Sequence, residues 1–358
     1  MSLKENAKKR VLMALSGGVD SAVAAALLKA QGYQVTGVFL HFWHDAGQVG
    51  ENKCCSLKAM QDAKEVADQV GIPLFSFDYS RQFKLKVVGD FLHEYKCGRT
   101  PNPCVVCNRE VKIGRLLKYA QGLNFDYVAT GHYVKNKKIG KKYHLSRGQD
   151  KNKDQSYFLY TFHQDQLAHL LFPLGGYTKP QVRVLAKKLK LPVAEKAESQ
   201  EICFIPEKHH NDFLKRNLKL KPGKIKLLDG TVIGEHQGLP LYTIGQRRGI
   251  EIGGNGPYYV AKFDTKKQDL YVVKKFDDPI LYGKELLAKK VTWIDKEIKT
   301  GSLSAVIRYR HPAEKVKIKK LPDGNYRVVF SRPQRAITSG QSVVFYRGQE
   351  VLGGGIIN

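Results

Sequence analysis

Residues 14–21 read ALSGGVDS, and their reading decides the fold. Before them stands RVLM, a short apolar run of strand type. After them comes AVAAALLKAQG, rich in helix formers and stopped at Gly32. A strand, a glycine turn and a helix N-terminus together make a site for phosphate. Gly17 and Gly18 let backbone N–H groups approach an anion with no Cβ in the way. The unpaired N–H groups of the helix's first turn, near Asp20 and Ser21, point at the same spot, where the helix dipole is positive. Ser16 and Ser21 add hydroxyls, and Asp20 is placed to hold a magnesium ion that bridges phosphates. No Gly-Lys-Ser/Thr follows, so the stretch is not a Walker A loop. Spacing alone leaves a plainer reading open, an ordinary glycine-rich βα turn with a serine cap.

Working outward, QVTGVFLHFW reads as a second buried strand, IPLFSFD as a third and FDYVATG as a fourth. Between them SLKAMQDAKEVADQVG is an amphipathic helix capped by Ser56 and stopped at Gly71. Strands alternating with helices predict a parallel, doubly wound sheet, with ligands at the carboxyl ends of its strands. HYVKNKKIGKKYHLSRGQDKNKDQSYFLYTF predicts a basic hairpin followed by a strand. QDQLAHLLF and KPQVRVLAKKLKL predict helices, the second with Pro180 at its start. Beyond about residue 210, apolar and polar residues alternate between Asp-Gly, Pro and Gly turns, the texture of small antiparallel sheets. The predicted organisation is an α/β, Rossmann-like domain over 1–207, a small central β-rich domain over 208–279 and a C-terminal β-barrel over 280–358.

The 358 residues are 42% hydrophobic, enough for a large core and against global disorder. Lys plus Arg number 60 against 33 Asp plus Glu, a net charge of +27. The excess is spread: 31 to 19 over 1–207, 14 to 8 over 208–279 and 15 to 6 over 280–358. That suits a long footprint on folded nucleic acid better than a flexible basic arm. Plain solubility charge has the same sign. No run of 18 apolar residues predicts a membrane helix, and MSLKENAKKR lacks the apolar segment of a secretory signal. Six cysteines are too few for a disulfide scaffold in a chain of this length, so the expected setting is a reducing cytoplasm.

Cys104 and Cys107 form a C-x-x-C in GRTPNPCVVCNREVKIG, read as a proline-rich loop just before a helix. The helix N-terminus, with Arg99 and Arg109 nearby, would favour a Cys107 thiolate. Cys203 lies in the apolar run ICFI, read as a strand that would place it at the sheet. Cys54, Cys55 and Cys97 have no such setting and read as buried or incidental thiols. Two chemistries compete for the other three. One is thiol chemistry, alternating between persulfide, disulfide and thiol. The other is an iron–sulfur cluster on Cys104, Cys107 and Cys203 with one iron open. Structural zinc is weaker, since no fourth ligand has zinc-like spacing.

ALSGGVDS, GRTPNPCVVCNRE, DYVATGHY, KDQSYFLY, ESQEICFI, YTIGQRRG and AVIRYRHP, in this order, resemble the bacterial tRNA-specific 2-thiouridylases of the PP-loop ATP pyrophosphatase superfamily. The resemblance spans essentially the whole chain. It implies that Ala14, Leu15, Ser16, Gly17, Gly18, Val19, Asp20 and Ser21 line ATP, with Leu40 and Gly131 touching the nucleotide by backbone. It implies that Asn102, Pro103 and Cys104 meet the target base, that Cys107 is the nucleophile and that Cys203 carries a persulfide. Lys153, Asp154 and Gln155, with Arg308 and Tyr309, correspond to tRNA contacts. The expected partners are the tRNA anticodon stem-loop and a persulfide donor protein, such as a cysteine desulfurase or a relay protein. Some members have Asp where this chain has Cys104, so either the proton-transfer role proposed for that Asp falls to Cys104 or to another group here, or the three cysteines bind a cluster. Two other functions share parts of the pattern: a small-molecule PP-loop ligase or amidotransferase, and a non-catalytic RNA-binding module. The first needs neither distant cysteines nor this charge, and the intact SGGVDS argues against the second.

Overall fold

The computed structural model describes residues 3–45, 56–197, 202–205, 209–250, 252–253 and 257–358. The first part of the chain supplies strands β1 (Arg10–Ala14), β2 (Gln34–His41), β3 (Leu74–Asp78) and β4 (Tyr127–Ala129). A hairpin, β5 (Val134–Ile139) with β6 (Lys142–Arg147), and a short β7 (Leu170–Leu171) follow. Five of these form a parallel sheet in the order β3-β2-β1-β4-β7. β1 is covered on both faces, which explains its unbroken apolar run. Val11 and Met13 pack with Val23, Leu28, Phe39 and Val66 on one side. Leu12 and Ala14 pack with Val38, Phe83, Phe91 and Val128 on the other. The strand order reverses between β1 and β4, and SGGVDS sits at the carboxyl end of β1, beside that switch point.

The helix Val19–Ala30 follows the glycine turn, and the helix Leu57–Val70 has the predicted ends. Ser56 Oγ accepts from the Ala59 N–H at 3.1 Å, and Gly71 closes it in the left-handed conformation. Two expectations fail here. SYFLYTF is no strand: the Asp154 carboxylate accepts from the N–H of Ser156 at 3.1 Å and its hydroxyl at 2.9 Å, winding Ser156–Phe158 into a 3-10 turn. QDQLAHLLF is helical only over Gln164–Leu167, because Leu170 and Leu171 leave to pair with Val128 and Ala129.

β8 (Gly223–Lys226), β9 (Val232–His236), β10 (Tyr259–Asp264) and β11 (Asp269–Val273) form a small sheet in the order β10-β11-β8-β9. β12 (Tyr282–Trp293), β13 (Thr300–Val306), β14 (Glu314–Lys320), β15 (Tyr326–Arg335), β16 (Ser342–Arg347) and β17 (Glu350–Ile357) make a six-stranded barrel. It is closed by β12 pairing with β17, Ala288 opposite Ile357. The α/β domain with a β-rich middle and a terminal barrel is the architecture expected. The hairpin β5–β6 also leans on the barrel, through the Glu350–Ser146 pairing and the His144–Glu350 contact at 2.5 Å. Among the described residues no helix is long and apolar enough to cross a membrane.

Candidate active site

The turn after β1 has the backbone its glycines imply. Gly17 has φ +66°, and a Cβ there would stand 2.2 Å from the Ala59 carbonyl oxygen. A Cβ on Gly131 would stand 2.9 Å from the Ser21 nitrogen, so the ATGHY segment lies flat against the first helical turn. Ser21 is buried and serves the loop internally, donating its hydroxyl to the Gly18 carbonyl at 2.9 Å and accepting from the Ser16 N–H at 3.2 Å. Ser16 is exposed. Gly17→Ala combines a positive φ with a backbone collision. It is expected to weaken ATP binding at least about tenfold and to lower the melting temperature, which calorimetric titration and a thermal melt would read.

Three lysines surround the turn, and the sequence pattern did not single them out. Lys179 Nζ donates to Asp20 Oδ1 at 2.7 Å, and the Tyr133 hydroxyl donates to the same oxygen at 2.6 Å. Lys196 Nζ donates to the Gly17 carbonyl at 2.9 Å and to the buried Asp62 at 2.5 Å, with Lys58 also on Asp62 at 2.9 Å. Glycine backbone, a helix start and these cations fit a polyphosphate. They do not by themselves fit a resident magnesium ion, because the turn's own carboxylate, Asp20, is already held by an ammonium and a phenol.

A cavity of about 1220 Å³ opens over this turn. Ala14, Leu15, Ser16, Gly18, Val19, Asp20, Ser21, Leu40 and Gly131 line it, as do Pro103, Cys104, Cys107 and Cys203. Phosphate loop and thiols therefore share one chamber. Its wall carries Lys58, Lys112, Lys153, Lys179, Lys196, Arg248 and Arg310 against one carboxylate, Asp20, among the described residues. His132 also lines it: burial, with Lys112 nearby, lowers its imidazole well below the ordinary range, and Nδ1 lies 2.7 Å from the Thr130 hydroxyl.

The thiols sit on different elements from those expected. The segment before Cys107 is already helix: Pro103 is its first residue, Asn102 precedes it, and the helix runs over Pro103–Cys107 into a wide turn at Asn108–Lys112. Gly114 permits that wide turn, since a Cβ there would meet the Arg109 carbonyl at 1.9 Å. Cys107 is thus buried a full turn in, while Cys104 is exposed nearer the start. The two arginines expected to favour a thiolate are occupied: Arg99 grips Glu94 at 2.6 and 2.5 Å, and Arg109 pairs with Glu110 at 2.7 Å.

Cys203, half-buried, lies in a turn rather than a strand, closed by the Ile205 N–H on the Ile202 carbonyl at 3.0 Å. Phe204 anchors that turn among Phe83, Phe91 and Phe213. Cys97 is exposed, and Cys54 and Cys55 lie outside the described residues. Among the described residues no group of three His, Cys, Asp or Glu side chains is arranged to hold a metal ion, so the three thiols do not fit a cluster here.

Of the remaining positions, Lys153, Gln155 and Tyr309 line the cavity. Asp154 is buried and organises its turn through Gly148, Ser156 and Arg147, so it shapes the surface rather than presenting a carboxylate to it. Arg308 is exposed and donates to the Ala336 carbonyl at 3.2 Å. Asn102 is half-buried near the Tyr157 hydroxyl. The segment leading to Pro103 is pinned from outside its own domain. The Thr100 N–H donates to the Ser339 carbonyl at 2.9 Å, and Gln341 Nε2 donates to the Thr100 and Pro101 carbonyls at 3.0 Å.

A glycine turn at a helix start, the lysines around it and three thiols share one basic chamber, on a parallel sheet backed by two small β domains, an arrangement that fits a nucleotide-using enzyme. The tRNA methyl transferase HUP domain family matches residues 9–207, the tRNA methyl transferase PRC-barrel domain family 211–274 and the aminomethyltransferase beta-barrel domain family 283–357. The tRNA-specific 2-thiouridylase MnmA 2 of Thermoanaerobacter sp. (strain X514) is 48% identical, over 97% of each chain. The tRNA-specific 2-thiouridylase MnmA of Listeria monocytogenes serovar 1/2a is 45% identical, over 99% of this chain and 95% of that one. Among solved structures, a 4-thiouridine synthetase–RNA complex with bound ATP has TM-score 0.36 and 17% identity, over 58% of this chain and 50% of that one. The chain belongs to the tRNA-specific 2-thiouridylase family.

Proposed function

We propose that the protein thiolates C2 of the wobble uridine in tRNA anticodons, activating the C2 oxygen with ATP and delivering sulfur from a cysteine persulfide. The observation that carries this reading is the shared chamber: the phosphate loop and Cys104, Cys107 and Cys203 open onto one basic cavity. The uracil C2 carbonyl is a poor electrophile because its oxygen would have to leave as hydroxide. Attack of that oxygen on the α-phosphorus of ATP releases pyrophosphate and makes AMP the leaving group. The terminal sulfur of a Cys203 persulfide then bonds to C2, and AMP departs with the former carbonyl oxygen. Cys107 attacks the Cys203 sulfur, and the electron pair of the broken S–S bond passes to the new thiocarbonyl. The two cysteines finish as a disulfide, which two electrons from an external thiol return to the starting state. Magnesium would enter with the nucleotide.

Loading the persulfide requires a donor protein, a cysteine desulfurase or a relay. Phe42, Phe83, Phe158, Phe204 and Ile205 give the chamber an apolar side on which a flipped base and a persulfide are kept from water. The three units 1–207, 208–279 and 280–358 together hold the anticodon stem-loop, with Lys153 and Gln155 on one turn that the buried Asp154 shapes, and Arg308 and Tyr309 on the barrel.

The direct test is conversion of ATP to AMP and pyrophosphate with and without tRNA, followed by nucleoside analysis for 2-thiouridine. Turnover of a small-molecule acceptor without tRNA, or thiolation that appears only with bound iron, would overturn the reading. Affinity for tRNA is expected to fall steeply with salt, because each neutralised phosphate releases counterions. A gel-shift series from low to high salt checks this, and a flat response would sink the polyanion assignment.

A further inference from the structure

The motif YTIGQRRG (242–249) takes no part in the steps above, yet the structure builds it into the wall of the chamber. Its loop has a defined shape. The Gly245 N–H donates to the Val260 carbonyl at 2.8 Å, and the Val260 N–H donates to the Gln246 carbonyl at 3.0 Å, fixing the loop on β10. The Gln246 side chain closes it, accepting from the Thr243 N–H at 2.9 Å and donating to the Arg248 carbonyl at 2.8 Å. Gly245 (φ +80°) is pressed on the barrel, where a Cβ would stand 2.6 Å from that of Ala336. The Thr243 hydroxyl lies 3.0 Å from that of Thr100, just ahead of Pro103 and Cys104. A loop held on three sides thus brings Arg248 and Gly249 to the catalytic cavity.

We propose that Arg248 is a substrate-binding residue of this site, its guanidinium taking a backbone phosphate of the RNA strand whose uridine enters the cavity. The inference rests on the tRNA reading above. Arg248 is exposed, and among the described residues no carboxylate is paired with it. A guanidinium presents a planar fork that matches a phosphate. ATP has its own cations at the glycine turn, Lys179 and Lys196. The Arg248 loop instead touches Thr100, Val260 and Ala336, the first of these in the segment that leads into the helix carrying Cys104. The central β-rich domain is therefore part of the active site and not a spacer between catalytic domain and barrel.

The test uses the full chain, an anticodon stem-loop RNA and the variants Arg248→Ala and Arg248→Lys. Arg248→Ala is expected to lower RNA affinity about tenfold and to make the slope of log K against log salt shallower by about 0.7, one phosphate contact on a single strand. The KM for ATP should stay within about twofold. Arg248→Lys should keep the slope and lose part of the affinity, because an ammonium keeps the charge without the fork. An Arg248→Ala slope equal to that of the wild type would overturn the proposal. A raised KM for ATP with unchanged RNA binding would overturn it too, by assigning Arg248 to the nucleotide. If the wild-type chain itself does not bind the RNA, the tRNA reading falls and this proposal with it; wild-type binding with an indifferent variant sinks the Arg248 role alone.

Discussion

Cys203→Ser and Cys107→Ser are each expected to abolish formation of 2-thiouridine while leaving the rate of pyrophosphate release in a single turnover within about threefold of the wild type. In the proposed reaction, adenylation of the uridine oxygen needs the glycine turn and its lysines, and neither thiol touches that step. Sulfur transfer needs both, because Cys203 carries the sulfur and Cys107 supplies the electron pair that cuts it free. The Cys203→Ser protein should therefore accumulate adenylated tRNA or return it slowly to uridine by hydrolysis. The Cys107→Ser protein should still accept a persulfide. Mass spectrometry of each variant after exposure to a persulfide donor separates the two roles: one extra sulfur on Cys203 in the Cys107→Ser protein, and none at residue 203 in the other. Thiolation surviving in either variant would end the two-cysteine scheme. Cys104→Ser adds a finer reading. Cys104 is exposed where Cys107 is buried, so a proton-transfer role predicts partial activity whose pH profile shifts, not a complete loss.

The parts of this site that were legible in the sequence are those governed by local rules. A glycine pair between an apolar run and a helix has few other uses, and the capped helix Leu57–Val70 was readable from Ser56 and Gly71 alone. The hairpins of the later domains announced themselves by alternation and turn residues. Misreadings arose where a side chain or a distant partner overrode local pattern. ICFI has strand composition, but the packing of Phe204 between Phe83, Phe91 and Phe213 is better served by a turn. The run SYFLY has the aromatic composition of a strand, yet Asp154 captures its backbone first. Asn102-Pro103 carried a usable signal, a helix starting at proline, and would have put Cys104 and Cys107 inside the helix. Lys179 and Lys196 had no signal of their own. In a chain with 60 basic residues, nothing but the fold marks the ones that meet Asp20 and Gly17.

Lys196→Met is expected to lower the rate of pyrophosphate release by about a hundredfold, the usual consequence of removing one preorganised donor beside developing negative charge. Its ammonium bridges the Gly17 carbonyl at 2.9 Å and Asp62 at 2.5 Å, so it positions the turn as well as charging it. The same substitution should cost stability of about 2 kcal/mol, the scale of a charged hydrogen bond to a buried carboxylate, less what its partial exposure to water screens. Burial pushes the Asp62 carboxyl up, and the hydrogen bonds and charges of Lys196 and Lys58 more than offset it, holding it below the usual carboxylate range. A carboxyl with a depressed folded pKa adds stability that is present above its unfolded value and is lost as pH falls through the folded one. Without Lys196 the folded value rises toward or past the unfolded one, so the carboxylate loses its acid-labile contribution and the stability deficit of the variant relative to the wild type should shrink as pH falls. Thermal melts across an acid series measure that narrowing. Asp62→Asn in the Lys196→Met background distinguishes the two effects. Removing the stranded carboxylate should recover most of the melting temperature, while pyrophosphate release stays low because the cation at the turn is still missing. Recovery of both together would mean that Lys196 serves only to neutralise Asp62.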